Sequence, residues 1–325
     1  MTPPIARPAL KFFDDFPASQ DIVEEVVEGL SHHQKEIPAK FFYDEAGSVL
    51  FEAITKLPEY YPTRTEIGLL EQHRHEIAEL AGERVWLLEY GSGASTKIRL
   101  LLESIKPNCY VPMDISRDFL LASADKLMDD YPWLNVYAAC VDYSQPVELP
   151  NDMQTGARKL GFFPGSSIGN FCPSEAGEFL KGVADTLGEK GALLIGVDLQ
   201  KDTAVLEAAY NDQQGVTAEF NLNLLHHLNR VANANFDPER FSHKAHYNIE
   251  SHRIEMHLIS TMDQVVRVGQ HQFGFKQGET IHTENSYKYS YQSFCQLAGK
   301  SGFDVEKFWT DDNEYFGLFY LKVRG

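Results

Sequence analysis

The feature that most constrains the fold is an apolar strand that runs into a glycine-rich turn and then a helix, between residues 87 and 97. The turn contains Gly91, Ser92 and Gly93, and a second apolar strand follows and ends at Asp114. In an open α/β sheet this order builds a nucleotide pocket beyond the carboxyl ends of the strands, where glycine lets the backbone approach the ligand. An acid after the second strand can accept hydrogen bonds from ribose hydroxyls. The sequence therefore predicts a site for a nucleotide-like ligand.

Strands and helices alternate along the central part of the chain, which is typical of a doubly wound, mostly parallel α/β sheet. The predicted strands are 84–90, 110–114, 135–142, 160–163 and 191–198. The predicted helices are 66–80, 97–105, 116–130 and 174–187. A helix at 291–301 and strands at 304–308 and 317–323 resume the sheet, and we expect an antiparallel strand near the C-terminus.

The remaining segments predict a second, α+β domain. Residues 201–289 interrupt the alternation, with helices at 204–210 and 217–232 and then strands at 243–247, 253–260, 265–275 and 281–289. Near the N-terminus, helices at 22–30 and 48–57 precede residues 58–62, where two prolines predict a rigid, non-helical loop. We predict a sheet domain of 65–200 plus 290–325 and a substrate domain of 1–64 plus 201–289, with the substrate in the cleft between them.

Charge and composition exclude several classes of partner. A formal net charge of −18 argues against a nucleic-acid ligand, because such proteins present a basic face. The apolar runs are too short to span a membrane, and the N-terminus lacks the apolar stretch of a signal peptide. Four widely spaced cysteines are typical of reduced thiols in the cytoplasm. We therefore expect a cytoplasmic protein that acts on a small molecule, and we also expect it to be a monomer.

A metal site is not predicted. The 12 histidines are scattered, and His243, His246 and His252 lie on predicted strands without the cysteine or carboxylate arrangement that zinc needs.

The glycine turn favours S-adenosylmethionine (SAM) over a dinucleotide. The segment Gly91–Thr96 lacks the third glycine that permits close helix–strand packing in a dinucleotide fold. SAM has no pyrophosphate, so the loop need only accommodate an amino-acid tail and a sulfonium. Asp114 would then bind the ribose, and Asp142 and Tyr143, after the third strand, would border the adenine.

A competing motif is GSSIG at residues 165–169, which matches the nucleophile elbow of α/β-hydrolases, with Ser167 as the nucleophile. Asp198 and later histidines even follow in the order serine, aspartate, histidine. The elbow needs a helix directly after the serine, whereas Pro173 is better suited to open the next helix. A hydrolase also has no use for acids after the second and third strands.

Several longer motifs resemble those of the histidine Nα-methyltransferase family of ergothioneine biosynthesis. The most specific is LPEYYPTRTE at residues 57–66. The others are FYDEAGSVLF at 42–51, EYGSG at 89–93, GSSIGN at 165–170, DLQKD at 198–202, GVTAEFN at 215–221 and RIEM at 253–256. The resemblance covers nearly the whole chain and is weakest over residues 1–20.

The resemblance implies a Rossmann-like class I SAM methyltransferase fold and trimethylation of the α-amine of L-histidine to hercynine. It places SAM against Gly91, Lys97, Asp114, Asp142 and Tyr143. It implies that Tyr60, Asn170 and Tyr210 hold the amine and carboxylate of the substrate, with Tyr43, Tyr60 and Asn170 as the catalytic residues. Glu284 and Ser286 would contact the imidazole, Met256 would line the pocket, and Asn285 between them is predicted to bind the substrate as well.

Glu284 carries the prediction of substrate specificity, because a carboxylate that faces an imidazole N–H makes a charge-assisted hydrogen bond. Two alternatives remain open. The same fold could methylate another amino acid, such as a tryptophan derivative, or the chain could be a cofactor-binding pseudoenzyme that serves as a partner subunit. Intact Tyr60 and Asn170 argue against the pseudoenzyme.

Overall fold

A computed structural model describes residues 10–15, 19–93, 96–144, 147 and 157–325 of the chain. Its largest element is an eight-stranded sheet with the strand order β1-β5-β4-β3-β6-β7-β14-β13. These strands are β1 (Lys11–Asp15), β3 (Trp86–Tyr90), β4 (Cys109–Asp114), β5 (Tyr137–Val141), β6 (Lys159–Phe163), β7 (Ala192–Asp198), β13 (Phe303–Thr310) and β14 (Phe316–Val323). Only β14 is antiparallel to its two neighbours, β7 and β13. The predicted α/β fold with an antiparallel strand near the C-terminus is confirmed.

Helices cover both faces of this sheet, as an almost wholly parallel sheet requires. They are α3 (Tyr61–Ala81), α4 (Thr96–Ile105), α5 (Arg117–Asp130), α6 (Pro173–Leu187) and α9 (Tyr291–Lys300). Successive strand residues enter different cores: Leu87 packs in the cluster that includes α3 and α4, and Leu88 in the cluster that includes α6 and α9. All seven residues of β7 are buried. In the part of the chain that the structure describes, no helix combines the length and the apolar character needed to cross a bilayer.

A second layer lies beyond the carboxyl ends of the parallel strands. It contains a four-stranded sheet in the order β2 (Lys35–Glu36), β12 (Thr280–Tyr287), β9 (Arg253–Ser260) and β8 (Phe241–Asn248). The helices α1 (Ser19–Ser31), α2 (Glu45–Ile54), α7 (Thr203–Ala208) and α8 (Val216–Val231) pack against it. Phe42 stacks on Phe220 in their shared core, with ring centroids 4.5 Å apart. This layer consists of segments 19–60 and 200–289, close to the predicted substrate domain.

Three details differ from the sequence prediction. Lys11–Asp15 pairs with β5 as the edge strand of the large sheet, although residues 1–64 were predicted to belong to the substrate domain. The prediction of a non-helical loop through residue 62 was wrong at its end, because α3 begins at Tyr61. Pro62 fits the first turn of a helix, because backbone N–H groups in that turn have no acceptor within the helix and the N–H that proline lacks is not needed. The predicted strand 265–275 is a hairpin of β10 (Gln264–Val268) and β11 (His271–Phe275).

Candidate active site

The site begins at the glycine turn after β3, which is tied to the end of β4. The backbone N–H groups of Gly91 and Ser92 donate to the carbonyl of Met113 at 2.9 and 3.1 Å. Gly91 and Gly93 have φ angles of 76° and 44°, which favour glycine. A Cβ placed on Gly91 would lie 3.0 Å from the hydroxyl of Tyr143, so the turn and this ring are in close contact. The hydroxyl of Ser92 is buried and has no hydrogen-bond partner among the residues that the structure describes.

Asp114 is held in place by the same turn. Its Oδ2 accepts the N–H of Gly93 at 3.1 Å and its Oδ1 accepts the N–H of Ser116 at 3.0 Å. Burial raises the pKa of Asp114, and these backbone hydrogen bonds oppose the rise. Each carboxylate oxygen keeps a further lone pair, so the group can accept two vicinal hydroxyls.

The other two residues predicted to bind the cofactor have partners in the protein. Asp142 accepts the N–H of Ser144 at 3.1 Å and pairs with Lys40 at 3.0 Å. Lys97 forms an ion pair of 2.5 Å with the fully buried Glu66, which also accepts the N–H of Gly165. The structure thus places Lys97 at the start of the turn after β6, and Asp142 links the sheet to the second layer through Lys40.

The predicted substrate residues come together where β12 meets the turn after β6. This turn is a short 3-10 helix, Ser167–Asn170, and a Cβ on Gly169 would lie 2.8 Å from the carbonyl oxygen of Tyr287. Only glycine allows the backbone of the turn to approach β12 so closely. The contact brings Asn170 to the segment that carries Ser286.

Glu284 and Ser286 lie on one face of β12, because side chains alternate along a strand. Their register partners on β9 are Met256 and Ile254. The hydroxyl of Tyr210 donates to Ser286 Oγ at 2.8 Å. The structure therefore brings Met256, Glu284, Ser286 and Tyr210 to the same side of the small sheet.

Aromatic rings surround this face. The rings of Tyr60 and Tyr210 meet edge to face with centroids 6.2 Å apart, and Tyr43 meets Phe51 at 5.8 Å. Burial raises the pKa values of Tyr43, Tyr60 and Tyr210, and the charge of Glu284 raises each of them further. All three phenols therefore stay protonated and able to donate.

Burial raises the pKa of Glu284 to about 7, and the charge of Lys288 opposes that rise. Near neutral pH this carboxyl is poised between an acceptor and a donor of hydrogen bonds.

Asn285 does not join these residues. It is paired in register with Glu255, so strand alternation directs it to the opposite face of the small sheet. The strand geometry thus separates Asn285 from Glu284 and Ser286, and its role in binding the substrate stays a prediction.

A buried charge network that was not predicted from the sequence lies behind the pocket. Asp198, at the end of β7, pairs with Lys288 at 2.7 Å and with Lys201 at 2.5 Å, and accepts the hydroxyl of Tyr61 at 2.7 Å. Burial favours a higher pKa for Asp198, but the two ammonium groups hold it below its usual range. A signal for Lys288 was present, because it follows Glu284 and Ser286 at the same two-residue spacing.

The hydrolase alternative is wrong. Ser167 Oγ donates to the carbonyl of Pro164 at 3.0 Å, and the side-chain partners of Asp198 are Tyr61, Lys201 and Lys288. Within the described ranges of the chain, neither side chain contacts a histidine, so no Ser–His–Asp relay exists.

One group of potential metal ligands is present among the described residues, although the sequence analysis found no carboxylate near the strand histidines. Glu255 Oε2 lies 3.1 Å from His257 Nε2 and 3.6 Å from His246 Nε2. Its Oε1 accepts hydrogen bonds from Arg253 and Asn248. A guanidinium therefore already pairs with this carboxylate, which disfavours a divalent cation beside it.

This cluster predicts acid sensitivity of the fold. Burial and the charges of the neighbouring His282 and His246 lower the pKa of His257 from 6.5 to about 4, against the opposing effect of Glu255. The unfolded chain therefore binds this proton first, and we expect the free energy of unfolding to fall as the pH drops from about 6.5 to about 4. Urea unfolding at several pH values would measure the slope. The slope should be smaller in His257→Gln, and an equal slope in both proteins would contradict the assignment.

Comparison with known proteins agrees with the geometry. The chain matches the protein family described as "Histidine-specific methyltransferase, SAM-dependent" over residues 22–323. It is 38% identical over 308 residues to the histidine N-alpha-methyltransferase of Mycolicibacterium smegmatis, which covers 93% of this chain and 94% of that protein. The histidine N-alpha-methyltransferase of Mycobacterium tuberculosis is 39% identical over 301 residues, with coverage of 90% and 92%. Ergothioneine biosynthesis protein 1 of Neurospora crassa is 34% identical over 88% of this chain but 33% of the longer fungal protein.

Proposed function

Because this chain belongs to the family of SAM-dependent, histidine-specific methyltransferases, we propose that it methylates the α-amine of L-histidine three times. The product would be the betaine hercynine, and the reaction would serve ergothioneine biosynthesis, in line with the name of the Neurospora crassa relative. A methyltransferase with this specificity needs a pocket that distinguishes an imidazole from other rings of similar size.

The observation that carries the proposal is the position of Glu284 and Ser286 on one face of β12, in a pocket lined by Tyr43, Tyr60 and Tyr210. A carboxylate accepts one imidazole N–H, and a hydroxyl satisfies the other ring nitrogen. A charge-assisted bond of this kind contributes about 1.5–3 kcal/mol.

The residues at the strand ends fit SAM as the methyl donor. Asp114 would bind the ribose hydroxyls, Asp142 and Tyr143 would border the adenine, and Lys97 with the turn at Gly91 would hold the amino-acid tail. The unpartnered hydroxyl of Ser92 supplies a further hydrogen bond in the turn. When bound, SAM supplies an electrophilic methyl group on a sulfonium, so the protein needs to add mainly orientation.

The protein's own residues aim the substrate amine. Asn170 and Tyr210 would donate to the carboxylate, and Tyr60 would accept a hydrogen bond from the neutral amine. The carboxylate and the ring are held at opposite ends, so the nitrogen between them is free to attack the methyl carbon while the C–S bond breaks. The faces of Tyr43 and Tyr60 would tolerate the quaternary ammonium that forms in the last round.

Mass spectrometry of the purified protein with SAM and each standard amino acid tests this proposal. We expect a gain of three methyl groups on histidine alone. A gain on tryptophan instead would favour the alternative substrate class, and cofactor binding without any methylation would favour the pseudoenzyme.

We further propose that the enzyme acts as a cytoplasmic monomer and needs no metal. The support is that the four cysteines are free thiols, that the residues predicted for the site come together within one chain, and that methyl transfer from a sulfonium needs no Lewis acid. Light scattering of the eluting protein tests the monomer, and an assay with a chelator tests the independence from metal.

Gly169→Ala is expected to lower kcat/KM for histidine about tenfold or more, because a Cβ 2.8 Å from the carbonyl of Tyr287 must push Asn170 away from β12. Gly182→Ala is a matched control, since nothing lies within 4 Å of its added Cβ. Steady-state kinetics of both variants would measure the effect. Equal activities in the two proteins would mean that this contact does not position Asn170.

A further inference from the structure

Lys288 lies directly behind the proposed substrate pocket with a fully buried side chain (0% exposed). Its ammonium has three N–H groups, and three acceptor atoms lie within hydrogen-bond distance of it. These acceptors are Asp198 Oδ2 at 2.7 Å, Ser286 Oγ at 2.7 Å and the hydroxyl of Tyr210 at 3.2 Å. The lysine is therefore saturated by one carboxylate and by two hydroxyls that face the pocket.

The network around Lys288 holds two ammonium groups against one ion-paired carboxylate. Among the described residues, Asp198 forms ion pairs with both Lys288 and Lys201, and the side chains of all three are at most 4% exposed. Asp311 also acts on Lys201 through its charge. Burial lowers the pKa of Lys201 to about 8, and the charge of Asp198 opposes that fall. In the described part of the chain, no ion pair joins Lys288 to Glu284, whose charge acts on the ring end of the pocket. A buried cation is stabilised by an anion, and the substrate brings one in its carboxylate.

The hydrogen bonds show how this charge reaches the pocket. Lys288 donates to the oxygens of both Ser286 and Tyr210, whose hydroxyls lie 2.8 Å apart with the proton of Tyr210 directed at Ser286. Because a hydroxyl can rotate, a bound substrate would replace this bond: Tyr210 would turn its one proton to the carboxylate, and Ser286 would donate its own proton to a ring nitrogen. The hydroxyl of Tyr210 accepts from Lys288, and a hydroxyl that accepts from a cation becomes a stronger donor to an anion.

We propose that Lys288 is a positioning and specificity residue for the carboxylate of the amino-acid substrate. It acts through Tyr210, which presents a neutral donor backed by a buried cation, and it fixes Ser286 as a donor to the ring. This inference rests on the proposed binding of histidine. Lys288 would thus help to recognise the negative charge of the substrate, although it is not among the residues that were predicted to contact the substrate.

Binding of two ligands that differ only at the carboxylate tests the proposal. L-Histidine and L-histidinol, in which a hydroxymethyl group replaces the carboxylate, would be titrated calorimetrically with S-adenosylhomocysteine present. We expect the parent to prefer histidine, and Lys288→Met to reduce the ratio of the two dissociation constants by about tenfold or more. Lys159→Met is the matched control, because Lys159 is a part-buried lysine at the amino end of β6 that bonds the carbonyl of Thr186. Its ratio should equal that of the parent.

The outcomes separate this inference from the proposed function. If Lys288→Met weakens the binding of both ligands by the same factor while the parent protein still methylates histidine, the proposed role of Lys288 is wrong and the proposed function is unaffected. If the parent protein binds no histidine, the proposed function itself is wrong. Should Lys288→Met not fold, Tyr210→Phe removes the hydroxyl that links the cation to the pocket. An unchanged ratio in that variant would equally overturn the proposal.

Discussion

Asp114→Asn is expected to weaken the binding of SAM about 100-fold or more and to remove nearly all methyl transfer. Both carboxylate oxygens of Asp114 accept backbone N–H groups, from Gly93 and Ser116. An asparagine would turn its NH₂ toward one of these donors and would also lose the charge that the ribose hydroxyls need. Two charge-assisted hydrogen bonds of about 1.5–3 kcal/mol each account for a loss of this size.

Calorimetric titration with SAM and steady-state kinetics would measure the effect of Asp114→Asn. Asp118→Asn is the control, because Asp118 is an exposed carboxylate in the first turn of the neighbouring helix α5. We expect this control to bind SAM like the parent. Tight binding of SAM by Asp114→Asn would mean that the ligand does not use the end of β4.

The geometry of the proposed cofactor side of the site was largely predictable from sequence because its signals are local. The turn at Gly91 and the acids at Asp114 and Asp142 each stand directly after an apolar run, and parallel strands all end at the same edge of the sheet. By contrast, the edge strand Lys11–Asp15 is short and partly exposed, so its sequence gives no strand signal before it pairs with β5.

The substrate side was less predictable because its geometry depends on contacts between distant segments. The hydroxyl of Tyr61 reaches Asp198 across 137 positions of sequence, and Tyr210 reaches Ser286 across 76. Asn285 was predicted to bind the substrate together with its sequence neighbours Glu284 and Ser286, whereas a strand presents only every second residue to one face. The same alternation would have indicated Lys288 after Glu284 and Ser286.

Glu284→Gln is expected to lower kcat/KM for histidine about tenfold to 100-fold at pH 8, because the amide loses the charge-assisted bond to the ring. The loss should depend on pH. Burial raises the pKa of Glu284 to about 7, so below that value the parent carries a protonated carboxyl that resembles the amide. Lys288 opposes the rise, and the phenols of Tyr43, Tyr60 and Tyr210 stay neutral around it.

The ratio of kcat/KM between the parent and Glu284→Gln should therefore grow as the pH rises through about 7 and stay near one well below it. Titration of the substrate's own amine and imidazole affects the rates of both proteins and therefore cancels in this ratio. The change of the ratio with pH then reports the ionisation of Glu284. Rates at a series of pH values, with SAM saturating, would give the curve. A large ratio that does not vary with pH would mean that Glu284 is ionised throughout and that its site is more polar than this pocket of tyrosines provides.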